Sequence, residues 1–372
     1  MRFRVERDDF AEAVAWAARS LPQRPAVPVL AGLRLAVTGH SLTLSAFDYE
    51  VSAEADLEVQ ADEAGTVLVS GRLLAEITRS LPAAPVELST DGSRAVLVCG
   101  GARFTLPTLP AEDYPTLPGM PPAAGRIASD AFATAVGQVY VAAGRDDTLP
   151  VLTGIRVEIA GDTLTLAATD RYRLAVRELK WRPDGAPTEA TALIPARTLA
   201  DAAKTLAATG AEVEVALGSG AQGEGMAGFS GGTRRTTTRL LEGEFPKYRS
   251  LIPAEFTSTA GVSTTTLVEA VKRVALVAQR NTPIHLSLDG DQLTLDAGGG
   301  DEAQASEAIE ASYDGEPLKI AFNPTYLLDG LGAIDSDIAQ LAFNGPVKPA
   351  VLTGKDTESD YRYLLMPVRT SG

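Results

Sequence analysis

The sequence predicts an α+β protein built from three tandem copies of one unit, each with two helices packed on antiparallel sheets. Two observations carry this. Three separate segments recur at one constant offset, and a similar helix opens every copy. Residues Asp9-Phe10-Ala11-Glu12-Ala13-Val14, Pro28-Val29-Leu30-Ala31-Gly32-Leu33-Arg34-Leu35 and Leu42-Thr43-Leu44-Ser45-Ala46 return as Ala131-Phe132-Ala133-Thr134-Ala135-Val136, Pro150-Val151-Leu152-Thr153-Gly154-Ile155-Arg156-Val157 and Leu164-Thr165-Leu166-Ala167-Ala168. Phe10 to Phe132, Pro28 to Pro150 and Leu42 to Leu164 are each 122 residues apart. A more diverged third copy runs through Leu267-Val268-Glu269-Ala270-Val271, Pro283-Ile284-His285-Leu286 and Leu293-Thr294-Leu295-Asp296-Ala297.

The opening helices share a stripe. Phe10, Val14 and Ala17 match Phe132, Val136 and Val139, and Leu267, Val271 and Val274. The i, i+4, i+7 spacing puts each set on one face, the mark of an amphipathic helix. Asp8 or Asp9, Ser129, and Thr265 or Thr266 are the expected N-caps. Short β-rich runs follow each helix and read as antiparallel strands. Each copy then has a strand, a second helix and more strands, starting at Thr66–Leu74, Ala192–Leu199 and Lys319–Leu327. Six helices are therefore expected. A single core rarely exceeds about 250–300 residues, so 372 residues predict two or three domains. We place them at 1–120, 126–252 and 258–372, with linkers near Tyr114–Arg126 and Leu251–Ser258.

Composition excludes several classes. No apolar run approaches the roughly 18 residues needed to span a bilayer, so no membrane partner is expected. The start, Met1-Arg2-Phe3-Arg4-Val5-Glu6, reads as a strand and lacks the apolar core of a signal peptide. The one cysteine, Cys99, allows no internal disulfide and suits a reducing cytoplasm. With it, His40 and His285 are too few for a Cys/His zinc site, so no metal and no cofactor are expected. His40 lies in a turn and His285 in an apolar strand, where both read as structural. Gly218 to Gly223 fits GxGxxG, but the Gly- and Thr-rich stretch after it reads as a hairpin tip and strand, not the helix a dinucleotide site requires. There is no GxxxxGK[ST] or GxSxG. Asp146-Asp147 reads as a solvated loop, and no catalytic residue is expected. The net charge of −15 argues against nucleic acid as a sum, yet an acidic exterior can coexist with a basic concave surface.

The repeat and four local motifs resemble the beta subunit of bacterial DNA polymerase III, the sliding clamp, over the whole chain. The motifs are Thr169-Asp170-Arg171-Tyr172-Arg173-Leu174, Phe245-Pro246-Lys247-Tyr248-Arg249, Phe322-Asn323-Pro324-Thr325-Tyr326-Leu327 and Met366-Pro367-Val368-Arg369. The Ala- and Arg-rich composition is similar to clamps of high-GC Gram-positive bacteria. The resemblance implies three DNA-clamp domains and a head-to-tail homodimeric ring. It also implies a non-enzymatic processivity subunit of a DNA-directed DNA polymerase. Helix widths allow such a ring. Six helices of about 10 Å give a circumference of roughly 60 Å and a hole of about 9 Å, whereas twelve leave about 28 Å. A duplex is about 20 Å across, so two chains can encircle DNA and one cannot.

Holding duplex without reading sequence calls for phosphate contacts. Arg72 and Arg197 both start second-half helices, and Arg79 and Lys204 follow them by seven residues on the same face. Arg24 and Arg145 follow the first helices. The resemblance implies that Arg24, Arg72, Arg145 and Arg197 line the hole, and spacing adds Arg79 and Lys204. The alternative is ordinary solvated charge. The third copy offers Lys272, Arg273 and Arg280, and its second helix carries Asp329 and no base.

The resemblance further implies a pocket for short peptide motifs of the replicative DNA polymerase, the clamp loader, repair polymerases and ligase. Its lining would be Leu152, Thr169, Asp170, Tyr172, Arg173, Leu174, Pro246, Leu251, Tyr326, Met366, Pro367, Val368 and Arg369. Plain core is the alternative for Leu152, Leu174 and Pro246. Ser250 and Leu149 stand where relatives often carry basic residues. For the dimer contact, Arg103 and Phe104 would face Leu276, Val277 and the acidic Asp301-Glu302 of a second copy. The competing class is an acidic, repeat-built protein adaptor that does not bind DNA.

Overall fold

The structure is a computed structural model that describes residues 1–372 except 186–188, 209, 219–224, 279–281, 299–302, 356–359 and 370–372. Among the described residues there are six α-helices, two in each sequence copy. They are α1 (Arg7–Ala17), α2 (Gly71–Ser80), α3 (Ser129–Tyr140), α4 (Ala196–Leu206), α5 (Thr264–Val274) and α6 (Pro324–Gly332). The stripes read from the sequence are the buried faces. Phe10, Val14, Ala17, Phe132, Val136, Val139, Leu267, Val271 and Val274 are all buried. Each larger side chain so placed contributes about 1.5–3 kcal/mol by leaving water.

Two of the expected N-caps are corrected. α1 begins behind Glu6, so Asp8 and Asp9 lie in its first turn. There they stabilise the helix through its positive end and not as caps. α5 is capped by Ser263, whose Oγ accepts from the Thr266 amide at 3.4 Å, so Thr265 and Thr266 are already helical. Ser263 precedes the first turn with non-helical backbone, which a cap requires. Ser129 heads α3, and its hydroxyl donates to the Gly210 carbonyl at 2.6 Å.

Contacts divide the chain into two compact units, residues 1–130 with 201–240 and residues 131–200 with 241–372. In the first, antiparallel strands run in the order Ala123–Ala128, Glu212–Leu217, Met226–Gly231, Arg234–Arg239, Val51–Glu58, Ser41–Phe47, Gly32–Thr38, Gly65–Ser70, Ala102–Leu109, Arg94–Cys99, Val86–Asp91, Arg2–Val5 and Gln60–Glu63. The ladder between Arg234–Arg239 and Val51–Glu58 joins copy two to copy one. A bond of 2.6 Å between the Ser52 and Thr237 hydroxyls is buried in it, and Arg235 reaches Glu54 and Asp56 at 2.7 and 2.8 Å. The residues after the GxGxxG stretch form the strand Met226–Gly231, with no helix. The motif's residues 219–224 lie outside the described set.

In the second unit, nine strands follow the order Glu189–Pro195, Gly154–Ala160, Thr163–Thr169, Arg173–Lys180, Asp360–Leu365, Ala350–Gly354, Ile338–Phe343, Ser258–Ser263 and Ser312–Asp314. A second sheet holds Ala305–Glu310, Gln292–Ala297, Ile284–Asp289 and Leu318–Phe322. Here Arg173–Lys180 pairs with Asp360–Leu365, Arg173 opposite Leu365, and joins copy two to copy three. That ladder fixes the strand that begins at Arg173, directly after the turn Thr169–Arg173.

Candidate functional site

The turn Thr169–Arg173 links two adjacent strands of the nine-stranded sheet. Asp170 closes it, with Oδ1 accepting the Tyr172 and Arg173 amides at 3.0 and 3.1 Å. The Thr169 hydroxyl donates to the Arg173 carbonyl at 2.7 Å. Arg171, at the tip, takes a φ of 80°, a left-handed conformation that side chains other than glycine seldom adopt. The turn thereby sends Tyr172 outward, 54% exposed, and Arg173 inward, 5% exposed.

Arg173 is the centre of the site. Its Nε donates to Asp170 Oδ2 at 2.9 Å and its Nη1 to Asp329 Oδ2 on α6. Its guanidinium lies 4.3 Å from the centre of the Tyr326 ring. Burial works hardest against the charge, but the bond to Asp329, together with Tyr363 and Asp170, outweighs it and holds the group above arginine's usual pKa. Tyr326 in turn stacks on Tyr172, with ring centres 6.2 Å apart and planes at 25°.

α6 is set by Asn323, whose Oδ1 caps the Thr325 and Tyr326 amides at 2.9 and 3.2 Å, with Pro324 in the first turn. Its inner side rests on Tyr363, whose hydroxyl donates to the Tyr326 carbonyl at 2.8 Å. A Cβ at Gly330 would lie 2.4 Å from the Tyr363 ring, so only glycine permits this approach. The tail after the last strand is held by backbone bonds, Met366 N to Tyr172 O at 2.9 Å and Val368 N to Ala321 O at 2.8 Å.

These elements bound a cleft of about 490 Å³. Of the predicted lining, Leu152, Asp170, Tyr172, Arg173 and Tyr326 reach it. Met366 joins through its backbone bond to Tyr172 and is 40% exposed, and Val368, bonded to Ala321, is 37% exposed. Pro367 is half-buried, and Arg369, Pro246 and Leu251 are exposed. Leu174 belongs to the core cluster with Val176, Phe245 and Tyr248, and Thr169 is buried with its hydroxyl on the Arg173 carbonyl. Sequence reasoning missed the cleft's other wall, Ala143, Gly144, Arg171 and Thr325, together with the role of Asp329. Gly144 donates its N–H to the Leu152 carbonyl at 2.7 Å, a loop contact that no local pattern announces. Leu149, Arg145 and Asp146 also line the cleft. Asp146 is a turn residue, and Thr148's hydroxyl and amide hold its carboxyl below the usual range.

A second cluster is tied to the strand that follows the turn, through the core that Tyr248 shares with Leu174. Glu158 accepts from Tyr248 Oη at 3.0 Å and pairs with Arg156 and Arg249. Burial pushes its pKa up, but these donors outweigh that and hold it below the usual range. Phe245 packs edge-on against Tyr248 at 6.1 Å.

Among the predicted DNA contacts, Arg24, Arg72, Arg79, Arg145, Arg197 and Lys204 are all exposed. Arg72 and Arg79 share α2, and Arg197 and Lys204 share α4. None makes an ion pair among the described residues, whereas Arg173, Arg234, Arg235, Arg249 and Arg273 all do. Arg72 donates only to the Pro22 carbonyl, at 3.0 Å. Lys272 is exposed on α5, and Arg280 lies outside the described residues.

Of the predicted dimer residues, Arg103 is exposed and Phe104 half-buried on the strand Ala102–Leu109. Leu276 is 84% exposed, and Val277 is half-buried beside it. Asp301 and Glu302 lie outside the described residues. No helix is long and apolar enough to cross a membrane, and no metal-binding cluster occurs among the described residues.

Comparison with known proteins agrees along the whole chain. The DNA polymerase III beta subunit family matches in three pieces, its N-terminal domain over residues 1–118, its central domain over 126–247 and its C-terminal domain over 249–369. The beta sliding clamp of Streptomyces coelicolor is 60% identical over 377 residues, covering 100% of both chains. That of Micrococcus luteus is 49% identical over 314 residues, covering 84% of this chain and 100% of its own. The crystal structure of the DNA polymerase sliding clamp from Bacillus subtilis matches with a TM-score of 0.93 at 26% identity, over 100% of both chains.

Proposed function

This chain belongs to the DNA polymerase III beta subunit family, in its high-GC Gram-positive type, and we propose that two copies close into a ring around duplex DNA and tether the replicative polymerase to it. The observation that carries the DNA contact is the recurrence of exposed basic side chains on the second helices: Arg72 and Arg79 on α2 return 125 residues later as Arg197 and Lys204 on α4, and none of the four makes an ion pair among the described residues. Arg24, Arg72, Arg79, Arg145, Arg197 and Lys204 are free to meet phosphates in any sequence context.

Two open sheet edges support the dimer. The strand Ala102–Leu109 is bonded on its second side only at Thr108 and Leu109, which leaves residues 102–107 uncovered. The strand Ala305–Glu310 ends its own sheet. Uncovered edges invite pairing. The first carries Arg103 and Phe104, and the second carries Glu307 and Glu310, with Leu276 exposed in the same unit. Head-to-tail pairing of these edges uses both faces of each chain and closes after two.

The Tyr172–Tyr326 cleft is the docking place for short peptide motifs of polymerases, the clamp loader and ligase. Its aromatic faces and the neighbouring Met366 suit aliphatic or aromatic anchors.

The ring is tested topologically. The protein is loaded on nicked circular DNA by a clamp loader, and the circle is then cut. A ring slides off the ends at moderate salt. Retention on the linear product, or failure to associate with the circle at all, would overturn the reading, and the latter would favour a protein adaptor indifferent to DNA.

A further inference from the structure

α3 and α6 border a second cleft, of about 530 Å³, which meets the peptide site only at Asp329. Its polar lining consists of acceptors and a hydroxyl, namely Asp329, Asp335, Gln138 and Thr134, with no lysine or arginine. Val141, Leu328 and Ile334 supply apolar walls. Gln138 is 6% exposed; its Nε2 donates to the Ala333 carbonyl at 2.9 Å, and its Oε1 is buried with no partner. Buried polar atoms are satisfied in all but a few cases, so an orphaned acceptor in a cleft wall points to a missing donor. Asp329 gives only Oδ2 to Arg173, which leaves Oδ1, and Asp335 makes no ion pair among the described residues.

Two glycines keep the cleft open. Gly137 and Gly332 both line it, neither takes a positive φ, and a Cβ on either would meet nothing within 4 Å. Neither packing nor backbone geometry requires glycine there, in contrast to Gly330. Glycine is a poor helix former, so its use at 137, inside α3, is explained by the space it leaves.

We propose that this cleft binds a guanidinium on a short alkyl stem, either a free small molecule or the arginine side chain of a protein partner. The volume is far larger than a metal ion needs. A guanidinium presents planar forked donors that match two carboxylates and an amide oxygen, and its stem lies along Val141, Leu328 and Ile334.

The full-length protein is titrated by calorimetry with n-butylguanidinium and, separately, with acetyl-Gly-Arg-Gly-amide. Saturable binding of one ligand per chain is expected. Gly137→Leu, which fills the cleft, and Asp335→Asn, at an exposed position, should each weaken it about tenfold, the worth of one charge-assisted bond. Peptide binding at the Tyr172–Tyr326 cleft should be unchanged in Asp335→Asn, so the two sites are scored independently. Tighter binding of the arginine peptide assigns the site to a protein partner, and binding of n-butylguanidinium alone assigns it to a small molecule. No saturable heat with either probe, meaning that water alone fills the cleft, overturns the proposal. So does binding that Asp335→Asn and Gly137→Leu leave unaltered.

Discussion

Replacing Arg173 with methionine removes the charge that two carboxylates share. Taking one member from a buried ion pair costs about 3–5 kcal/mol, chiefly because the other charge stays behind unpaired. Here the side chains left behind are 14% exposed at Asp170 and 32% exposed at Asp329, so water relieves part of the loss. Asp170 also keeps its two backbone amides. The stacking of the guanidinium on Tyr326 adds about 0.5–1 kcal/mol. The sum expected for Arg173→Met is a loss of about 2–4 kcal/mol in urea denaturation followed by circular dichroism. Arg173→Met combined with Asp329→Leu should recover part of it, since one of the two stranded charges is then gone and Asp170 keeps its backbone amides, with a coupling of about 1–3 kcal/mol. Peptide affinity should fall in both variants, because Tyr326 has lost the group beneath it. A single variant costing under about 1 kcal/mol, or a double variant no more stable than the single, would refute the account of Arg173 as the pin of the cleft.

Three further outcomes follow from the same contacts. Gly330→Ala places a methyl 2.4 Å from the buried Tyr363 ring and should cost about 1–3 kcal/mol in thermal or urea unfolding, as overpacked cores do; an unchanged midpoint would show that α6 can shift freely. Glu158 has a depressed pKa, so the stability it lends is complete above its ordinary value of 4.5 and is lost as pH falls through the lower folded value. Glu158→Gln should therefore be less stable at pH 7 and lose less stability than the parent between pH 5 and 3, and parallel pH curves would contradict the assignment. Leu276→Glu adds a charge to a side chain that is 84% exposed in the single chain, and it should yield monomers in light scattering with no change in folding; a persistent dimer would remove Leu276 from the interface.

The architecture was legible because it is repeated and amphipathic. Phe10, Val14 and Ala17 recur with the same spacing, and a spacing of that kind has one buried solution. The N-caps were less legible, since Asp8, Asp9, Thr265 and Thr266 carry the right chemistry at positions one or two residues inside the helix. The cleft was half legible. Tyr172, Arg173 and Tyr326 lie in recognisable local motifs, but the opposite wall comes from the Gly144–Leu152 contact, and Asp329 becomes part of the site only when α6 packs beside the turn. Leu174 sits in the same motif as Tyr172 and Arg173, and its side chain packs with Phe245 and Tyr248, the core alternative that its apolar character had left open.

The turn at the cleft is itself a repeated part. In copy one, 122 residues earlier, Asp48 Oδ1 accepts the Glu50 and Val51 amides at 2.9 and 2.7 Å, as Asp170 Oδ1 accepts those of Tyr172 and Arg173. Tyr49 has a φ of 76° where Arg171 has 80°. Both turns feed a strand that joins one copy to the next, Val51–Glu58 to Arg234–Arg239 and Arg173–Lys180 to Asp360–Leu365. A strained residue capped by an aspartate is thus the means by which each copy aims its joining strand, and this role explains why the strain is kept in both. The cleft uses that same turn and adds only side chains. Glu50 and Val51 in copy one can neither stack on an aromatic ring nor bridge two carboxylates, whereas Tyr172 and Arg173 do both. The peptide binding proposed for this site would be a local elaboration of a joint that the fold already needs.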